Sequence, residues 1–141
     1  MASTIQCKIV SAEQEIFSGE VSMLIASGVM GELGIAPRHA PLMTLLKPGE
    51  VRVQFPDNRE EDYYVSGGIL EVQPYLISVL ADTAIRAEDI DEAAAIKAKE
   101  EAERLLQTKD KEYDLAKVEA ELAKALAQLQ ALARLKKKLK R

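Results

Sequence analysis

Glycine and proline are confined to the first part of this 141-residue chain. All seven glycines and all five prolines lie before Ala84, and alanine and leucine dominate the remainder. Because both residues interrupt helices and favour turns, the first part is suited to strands joined by turns, and the rest to long helices. The distribution therefore predicts two domains, over residues 1–86 and 87–141.

Alternating apolar residues mark the first domain. Ile5, Cys7 and Ile9 fall on one face of a predicted strand, which places the Cys7 thiol in the core. Lys47–Glu50, read Lys-Pro-Gly-Glu, predicts a turn, and Pro56–Arg59 predicts a hairpin loop. Many short strands at this spacing indicate an antiparallel sandwich or barrel.

Two helices are predicted after Ala84. Asp89 followed by Glu92 resembles a capping box, so the first helix should begin near Ile90 and reach about Leu106. A turn over Gln107–Lys111 then leads to a second helix from about Glu112 to about Leu139.

The second helix carries a leucine stripe beside a line of small residues. A short connection favours an antiparallel hairpin, and alanines in the contact would hold it loosely because each buries little area. We expect a hairpin that can open. The small residues are Ala116, Ala120, Ala123, Ala127 and Ala131.

Charge is distributed unevenly along the chain. Residues 1–84 carry five basic against eleven acidic side chains, whereas residues 134–141 carry six basic and none acidic. The basic end predicts an acidic partner surface. The start of the chain lacks the features of a signal peptide and no apolar run reaches about 20 residues, so we expect a soluble, intracellular protein.

Residues suited to catalysis or metal binding are scarce. The chain has one histidine, His39, and one cysteine, so it cannot assemble a His/Cys metal set. Gly28, Gly31 and Gly34 lack the lysine and hydroxyl residue of a phosphate-binding loop and are interpreted as turn residues. We expect no catalytic residue, metal or cofactor, and interpret His39 as a loop residue able to contact another protein.

Ordered motifs along the whole chain resemble the epsilon-subunit family of bacterial F-type ATP synthases. The resemblance implies an α+β fold: an N-terminal antiparallel β-sandwich of about ten strands, then a C-terminal two-helix antiparallel hairpin. It also implies a non-catalytic central-stalk subunit. The motifs are Ile9–Glu13, Ile16–Glu20, Gly31–Ile35, His39–Leu42, Lys47–Gly49, Val65–Val72 and Leu80–Ala84.

The same resemblance implies partners for each domain. The sandwich would bind the gamma subunit and contact the c-subunit ring through Glu32 and His39. The helices would extend into the alpha/beta catalytic head and inhibit ATP hydrolysis by contacting an acidic segment of beta. The complex would hold the protein, indirectly, at the cytoplasmic face of the bacterial inner membrane. The inhibitory cations would be Arg134, Lys136, Lys137, Lys138, Lys140 and Arg141.

A nucleotide motif of some members of this family is degenerate here. The matching positions are Ile90, Asp91, Ala94 and Ala95, and Ala94 stands where the motif has an arginine. The guanidinium able to hold a phosphate is therefore missing from that position, and ATP is not expected as a cofactor.

Two other function classes remain open at this point. A free-standing adaptor would use its basic helix to bind nucleic acid or anionic lipid, and a small hydrolase would use His39. The resemblance favours the stalk subunit, with no nucleic acid among its partners. Association with gamma separates the first alternative from it, and activity of the isolated chain separates the second.

Overall fold

The structure, a computed structural model, describes residues 3–108 and 114–140. Within them nine strands precede two helices, which confirms the α+β class. The strands are β1 (Ile5–Ser11), β2 (Glu15–Val21), β3 (Met23–Gly28), β4 (Gly31–Ile35), β5 (Leu42–Gln54), β6 (Glu60–Val65), β7 (Gly68–Gln73), β8 (Leu76–Ala81) and β9 (Ala84–Arg86); a 3₁₀ turn (Ala87–Asp89), α1 (Glu92–Gln107) and α2 (Leu115–Leu139) come after them.

The long strand β5 connects the two layers of the sandwich. Its residues 42–46 pair with β7 and its residues 49–54 pair with β6, while β3 lies along its other side. The predicted turn at Lys47–Glu50 is therefore wrong, because this segment lies inside β5. Proline is tolerated there since the register with β3 shifts between Ala26 and Gly28. Gly49 allows β3 to approach: a Cβ added to it would lie 2.8 Å from the Ser27 Cβ.

One strand pair departs from the antiparallel prediction. β1 and β8 are parallel, and the other pairs in the described part of the chain are antiparallel. Most of the domain separates these two strands in sequence, so no tight turn fixes their relative direction. The predicted hairpin loop at Pro56–Arg59 is confirmed between β5 and β6.

A single apolar core fills the sandwich. Ile9, Leu24, Val51 and Tyr63 are among its fully buried side chains. The Cys7 thiol is buried with them, as the alternation predicted. No core member comes from α1 or α2, so the strands enclose this core without the helices.

Both helices begin with an aspartate cap, although not at the predicted residues. Asp91, rather than Asp89, caps α1, and its Oδ1 accepts a hydrogen bond from the Ala94 amide at 3.1 Å. Asp89 belongs to the preceding 3₁₀ turn. Asp114 caps α2, which begins at Leu115. The proposed start at Glu112, and Lys109–Lys111 of the predicted turn, lie outside the described residues.

The helices form an antiparallel pair that also rests on the sandwich. Lys136, near the end of α2, forms an ion pair with Glu92, the first residue of α1. The two helices therefore run in opposite directions. Ala127 and Ala131 were expected to face α1, but they pack in a cluster with Tyr64 of β6. A face of alanines allows a strand to approach α2 as closely as another helix could. The spacing of the alanines therefore did not show which element they contact. Ala116, Ala120 and Ala123 are exposed.

Candidate functional site

One of the two predicted ring contacts lies on the edge strand β4 and the other in the loop that follows it. Glu32 belongs to the edge strand β4, is largely exposed, and has an oxygen 3.6 Å from the Arg52 guanidinium. His39 lies in the β4–β5 loop, where its Nδ1 is 2.7 Å from the Ala40 carbonyl oxygen. Gly28 and Gly31 border the β3–β4 turn as predicted, whereas Gly34 lies inside β4. At the tip of that turn, Met30 is almost fully exposed.

The residues of the degenerate nucleotide motif make structural contacts. Ile90 is buried against the sandwich, and Ala95 is buried on α1. The Asp91 carboxylate is engaged as the cap of α1, and Ala94, which is exposed, supplies only its backbone amide to that cap. These four residues therefore shape the start of α1 and present no cationic side chain.

Three of the six predicted inhibitory cations are paired within the chain. Arg134 Nε donates to Glu50 Oε2 at 2.8 Å, and Lys136 Nζ donates to Glu92 Oε1 at 2.7 Å. Lys138 Nζ lies 2.8 Å from Asp62 Oδ2 and 3.0 Å from Glu60 Oε1. The two others within the described part of the chain, Lys137 and Lys140, are exposed, and Arg141 lies outside it.

The partners of these cations form an acidic face on β5 and β6. Strand alternation puts Glu50 of β5 and Glu60 and Asp62 of β6 on the side opposite the core. Burial raises the pKa of Glu60, but the hydrogen bond and charge of Lys138 and the charge of Arg52 outweigh it and hold the pKa below its ordinary value. Sequence reasoning missed this face. The sequence signal for this face is a pair of carboxylates two residues apart in one strand, because such residues lie on the same face of the strand.

A second missed feature is an apolar patch on the outer side of the other layer. Cross-strand pairing aligns Leu45, Ile69, Leu80 and Val10 in a row across β5, β7, β8 and β1. Met43 extends the row along β5, two residues from Leu45. Val10 is half-buried, and the other four side chains are exposed. We call these five residues the outer apolar patch.

The sequence carried a signal for this patch too. Leu42, Met43, Leu45 and Leu46 are apolar on both faces of β5, whereas a strand with one solvated face alternates. A contiguous apolar area on a sheet is typical of a surface that another protein covers.

A metal site would need several ligating side chains close together. In the described ranges, no cluster of three or more His, Cys, Asp or Glu side chains is arranged to hold a metal ion. Neither α1 nor α2 is long and apolar enough to cross a membrane. The outer apolar patch and the charged contact under α2 are thus the two features that need a functional explanation.

Comparison with known proteins accounts for both domains. Residues 4–87 match the family described as "ATP synthase, Delta/Epsilon chain, beta-sandwich domain", and residues 88–136 match "ATP synthase, Delta/Epsilon chain, long alpha-helix domain". This chain belongs to the ATP synthase delta/epsilon family. The resemblance noted from the sequence motifs is confirmed.

Individual members of the family are similar over almost the whole length. The ATP synthase epsilon chain of Nitrosococcus oceani is 60% identical over 139 residues, which cover 99% of each chain. That of Stenotrophomonas maltophilia strain K279a is 60% identical over 138 residues, covering 98% of this chain and 99% of the other. Epsilon chains are non-catalytic subunits, and the hydrolase alternative is therefore discarded.

Solved structures share the fold at much lower identity. A chain in the Euglena gracilis mitochondrial ATP synthase structure, titled "OSCP/F1/c-ring in rotational state 1", gives a TM-score of 0.72 at 22% identity. The alignment covers 96% of this chain and 81% of that one. A chain in the Tetrahymena thermophila mitochondrial ATP synthase structure, titled "central stalk/cring", gives 0.62 at 12% identity, with coverages of 92% and 97%.

Proposed function

We propose that this chain is a central-stalk subunit of an F-type ATP synthase, located at the cytoplasmic face of a bacterial inner membrane. Its β-sandwich couples the c-subunit ring to gamma, and its C-terminal helices restrain ATP hydrolysis. Family membership and the titles of the two structural neighbours support this assignment.

The outer apolar patch carries the proposal of a gamma contact. Four exposed apolar side chains side by side on a rigid sheet are costly in water, at about 25 cal/mol per Å² of exposed apolar area. A permanent partner removes that cost. The patch lies on the layer formed by β1, β8, β7 and the first half of β5, and α2 packs instead on β6 and the second half of β5. Gamma can therefore dock without displacing the helices.

The edge strand β4 is the proposed contact with the c ring. Glu32 is exposed on it, His39 lies in the loop after it, and Met30 stands out at the preceding turn. An exposed carboxylate suits a partner with polar loops, and the 3.6 Å pairing with Arg52 leaves Glu32 available because such exposed pairs are weak.

Inhibition is proposed to come from α2 after it leaves the sandwich. The basic residues in its last turns and after it, within residues 134–141, complement an acidic segment on the beta subunit of the catalytic head. At about 1.5 Å per residue, a helix of 25 residues spans roughly 38 Å, enough to reach well beyond the sandwich.

The test of this function is binding to gamma. Leu45→Asp places a charge in the centre of the patch, and we expect it to weaken the binding of purified gamma by about 30-fold or more, measured by calorimetry. The matched control is Leu115→Asp, because Leu115 is 53% exposed on α2 and Leu45 is 58% exposed on the patch. The control should bind gamma like the unaltered chain.

Thermal unfolding of both variants provides the folding control. If Leu45→Asp binds gamma with unchanged affinity while remaining folded, the patch is not the gamma contact. Equal weakening by both variants would indicate a general effect of added charge.

A further inference from the structure

Two methionine side chains are exposed to solvent on the sandwich. Met30 is 94% exposed at the tip of the β3–β4 turn, and Met43 is 66% exposed on β5, within the outer apolar patch. Met23, at the start of β3, is half-buried, and Met1 lies outside the described residues. Leucine would supply a similar apolar area at position 43, whereas the thioether sulfur of methionine can also be oxidised.

The other sulfur chemistry of the chain is protected. Cys7 is its only cysteine, and the thiol is buried in the core of the sandwich. Burial raises the pKa of this thiol to about 12, so it stays in the unreactive protonated form at neutral pH. An oxidant that reaches the folded chain therefore meets the exposed thioethers first.

The neighbours of Met43 make an added oxygen costly there. Met43 lies opposite Glu71 of β7, and Leu45 is two residues away on the same face of β5. A sulfoxide is polar and its oxygen accepts hydrogen bonds, but neither a carboxylate nor a leucine side chain can donate one. A partner that covers the patch would bury this oxygen without a donor from the sandwich, which weakens the contact.

The reaction needs only a peroxide as co-reactant. The sulfur lone pair attacks one oxygen of hydrogen peroxide, the O–O bond breaks, and an S–O bond forms. The departing hydroxide takes the proton from the transferred oxygen and leaves as water. The thioether is thereby oxidised by two electrons to the sulfoxide while the peroxide is reduced, and sulfoxide reductases can reverse the change.

We propose that Met43 is an oxidation site of the unassembled chain, and that its sulfoxide hinders docking of the outer apolar patch on gamma. Free chains expose the thioether to peroxide, whereas a bound gamma subunit covers it. The effect on docking rests on the proposed gamma contact; the oxidation site does not.

The oxidation site is tested on the isolated full chain with hydrogen peroxide. Mass spectrometry of the digested chain gives the rate at each methionine, and the same chain in urea gives the rate without protection by the fold. We expect Met43 and Met30 to react within about three-fold of their rates in urea, and Met23 to be slowed more. A rate at Met43 more than about ten-fold below its rate in urea would overturn the oxidation site.

Binding of purified gamma before and after peroxide treatment tests the effect on docking. The parent chain should lose affinity by about ten-fold or more, measured by calorimetry, and regain it after treatment with reductases for both sulfoxide epimers. Met43→Leu should show the same affinity before and after peroxide, to within about two-fold. Met30→Leu is the matched control and should lose as much as the parent. Equal losses in the two variants would assign the effect to another residue and overturn the proposal.

The preformed complex with gamma gives a readout that does not depend on affinity. Met43 should oxidise at least about ten-fold more slowly there than in the free chain, because gamma covers it. Met30 lies outside the patch, and its rate should change by less than about two-fold. Unchanged oxidation of Met43 in the complex, or equal protection of both methionines, would overturn the effect on docking.

Leu45→Asp separates this inference from the proposed gamma contact. If Leu45→Asp weakens gamma binding and oxidation of Met43 does not, the effect of the sulfoxide is overturned and the gamma contact stands. If neither change weakens binding, the gamma contact is overturned and the effect on docking falls with it. The rates measured by mass spectrometry decide the oxidation site in both cases.

Discussion

Single residues in this chain are constrained most tightly where strands approach each other. Gly68 begins β7 with φ of +143°, a region that residues with a Cβ rarely adopt. A Cβ added there would lie 2.1 Å from the Leu80 carbonyl oxygen and 2.8 Å from the Ala81 Cα. Both neighbours are backbone atoms of the adjacent strand, so relief would require movement of β8.

Replacing this glycine should therefore destabilise the sandwich. We expect Gly68→Ala to lower the free energy of unfolding by about 2 to 4 kcal/mol, combining backbone strain with overpacking. Gly34→Ala is the control, since nothing lies within 4 Å of a Cβ at Gly34, and its effect should stay within about 0.5 kcal/mol. Urea unfolding of both variants makes the comparison. Similar losses would mean that the close approach at Gly68 relaxes freely.

Cys7 should be chemically inert in the folded protein. Burial raises the pKa of its thiol to about 12, so at pH 8 only about one molecule in ten thousand carries the reactive thiolate. The raised pKa favours the folded state below pH 9, and this contribution is lost as the pH rises from 9 towards 12. Labelling at pH 8 should be at least 100-fold slower than in urea. Rapid labelling of the folded chain would show that β1 opens locally.

ATP should bind weakly or not detectably to the isolated chain. Ala94 supplies no guanidinium, and the Asp91 carboxylate already caps α1. Isothermal calorimetry with ATP and magnesium is the measurement, and Ala94→Arg is the variant expected to gain affinity. A dissociation constant in the low micromolar range for the parent chain would mean that other cations, such as Arg86 or Arg104, hold the phosphates.

Among the elements, β5 and α2 have the greatest influence on the arrangement of the rest. β5 pairs with β7 at one end and with β6 at the other, so this single strand joins the two layers. α2 instead makes an added layer, since the core of the sandwich contains no helical residue. Removal of the helices uncovers Tyr64 and three carboxylates but opens no cavity in that core.

The sandwich should accordingly fold alone. We expect residues 1–86, expressed without the helices, to unfold cooperatively and to bind both gamma and the c ring. Circular dichroism and binding to a preparation lacking this subunit are the measurements, with the full chain as the control. An unfolded fragment, or one that does not bind, would show that residues 87–141 are part of the same folding unit.

At the scale of the whole molecule, the two layers of the sandwich present different outer surfaces. The outer apolar patch is open, whereas the acidic face of β5 and β6 is covered by α2. The proposed docking on gamma and the proposed release of α2 therefore involve different surfaces.

Deleting the helices should raise ATP hydrolysis and leave coupling largely intact. The comparison is between synthase assembled with the full chain and synthase assembled with a chain ending at Arg86, at low ionic strength. We expect the truncated form to hydrolyse ATP at least two-fold faster. No single lysine-to-alanine change on α2 should reproduce the full effect through its contact with the head, because exposed ion pairs contribute only about 0 to 1 kcal/mol each. Equal rates of ATP hydrolysis would mean that the helices do not inhibit the enzyme.

Local patterns determined much of this architecture. Alternation placed Cys7, Ile5 and Ile9 in the core, and the restriction of glycine and proline to the first part separated strands from helices. These features depend on neighbours in sequence: side-chain period, turn chemistry and capping. The motifs that resemble the epsilon subunit were also readable in order along the chain.

Tertiary structure decided which surfaces face each other. The spacing placed Ala127 and Ala131 on one face of α2, but it did not show what that face contacts. The contact is with Tyr64 of the sandwich rather than with α1. Lys138 was recognisable as a cation, whereas its pairing with Asp62, 76 residues away in sequence, was not. Contacts between distant segments depend on which strands β5 pairs with and on where α2 lies, and no local periodicity encodes either.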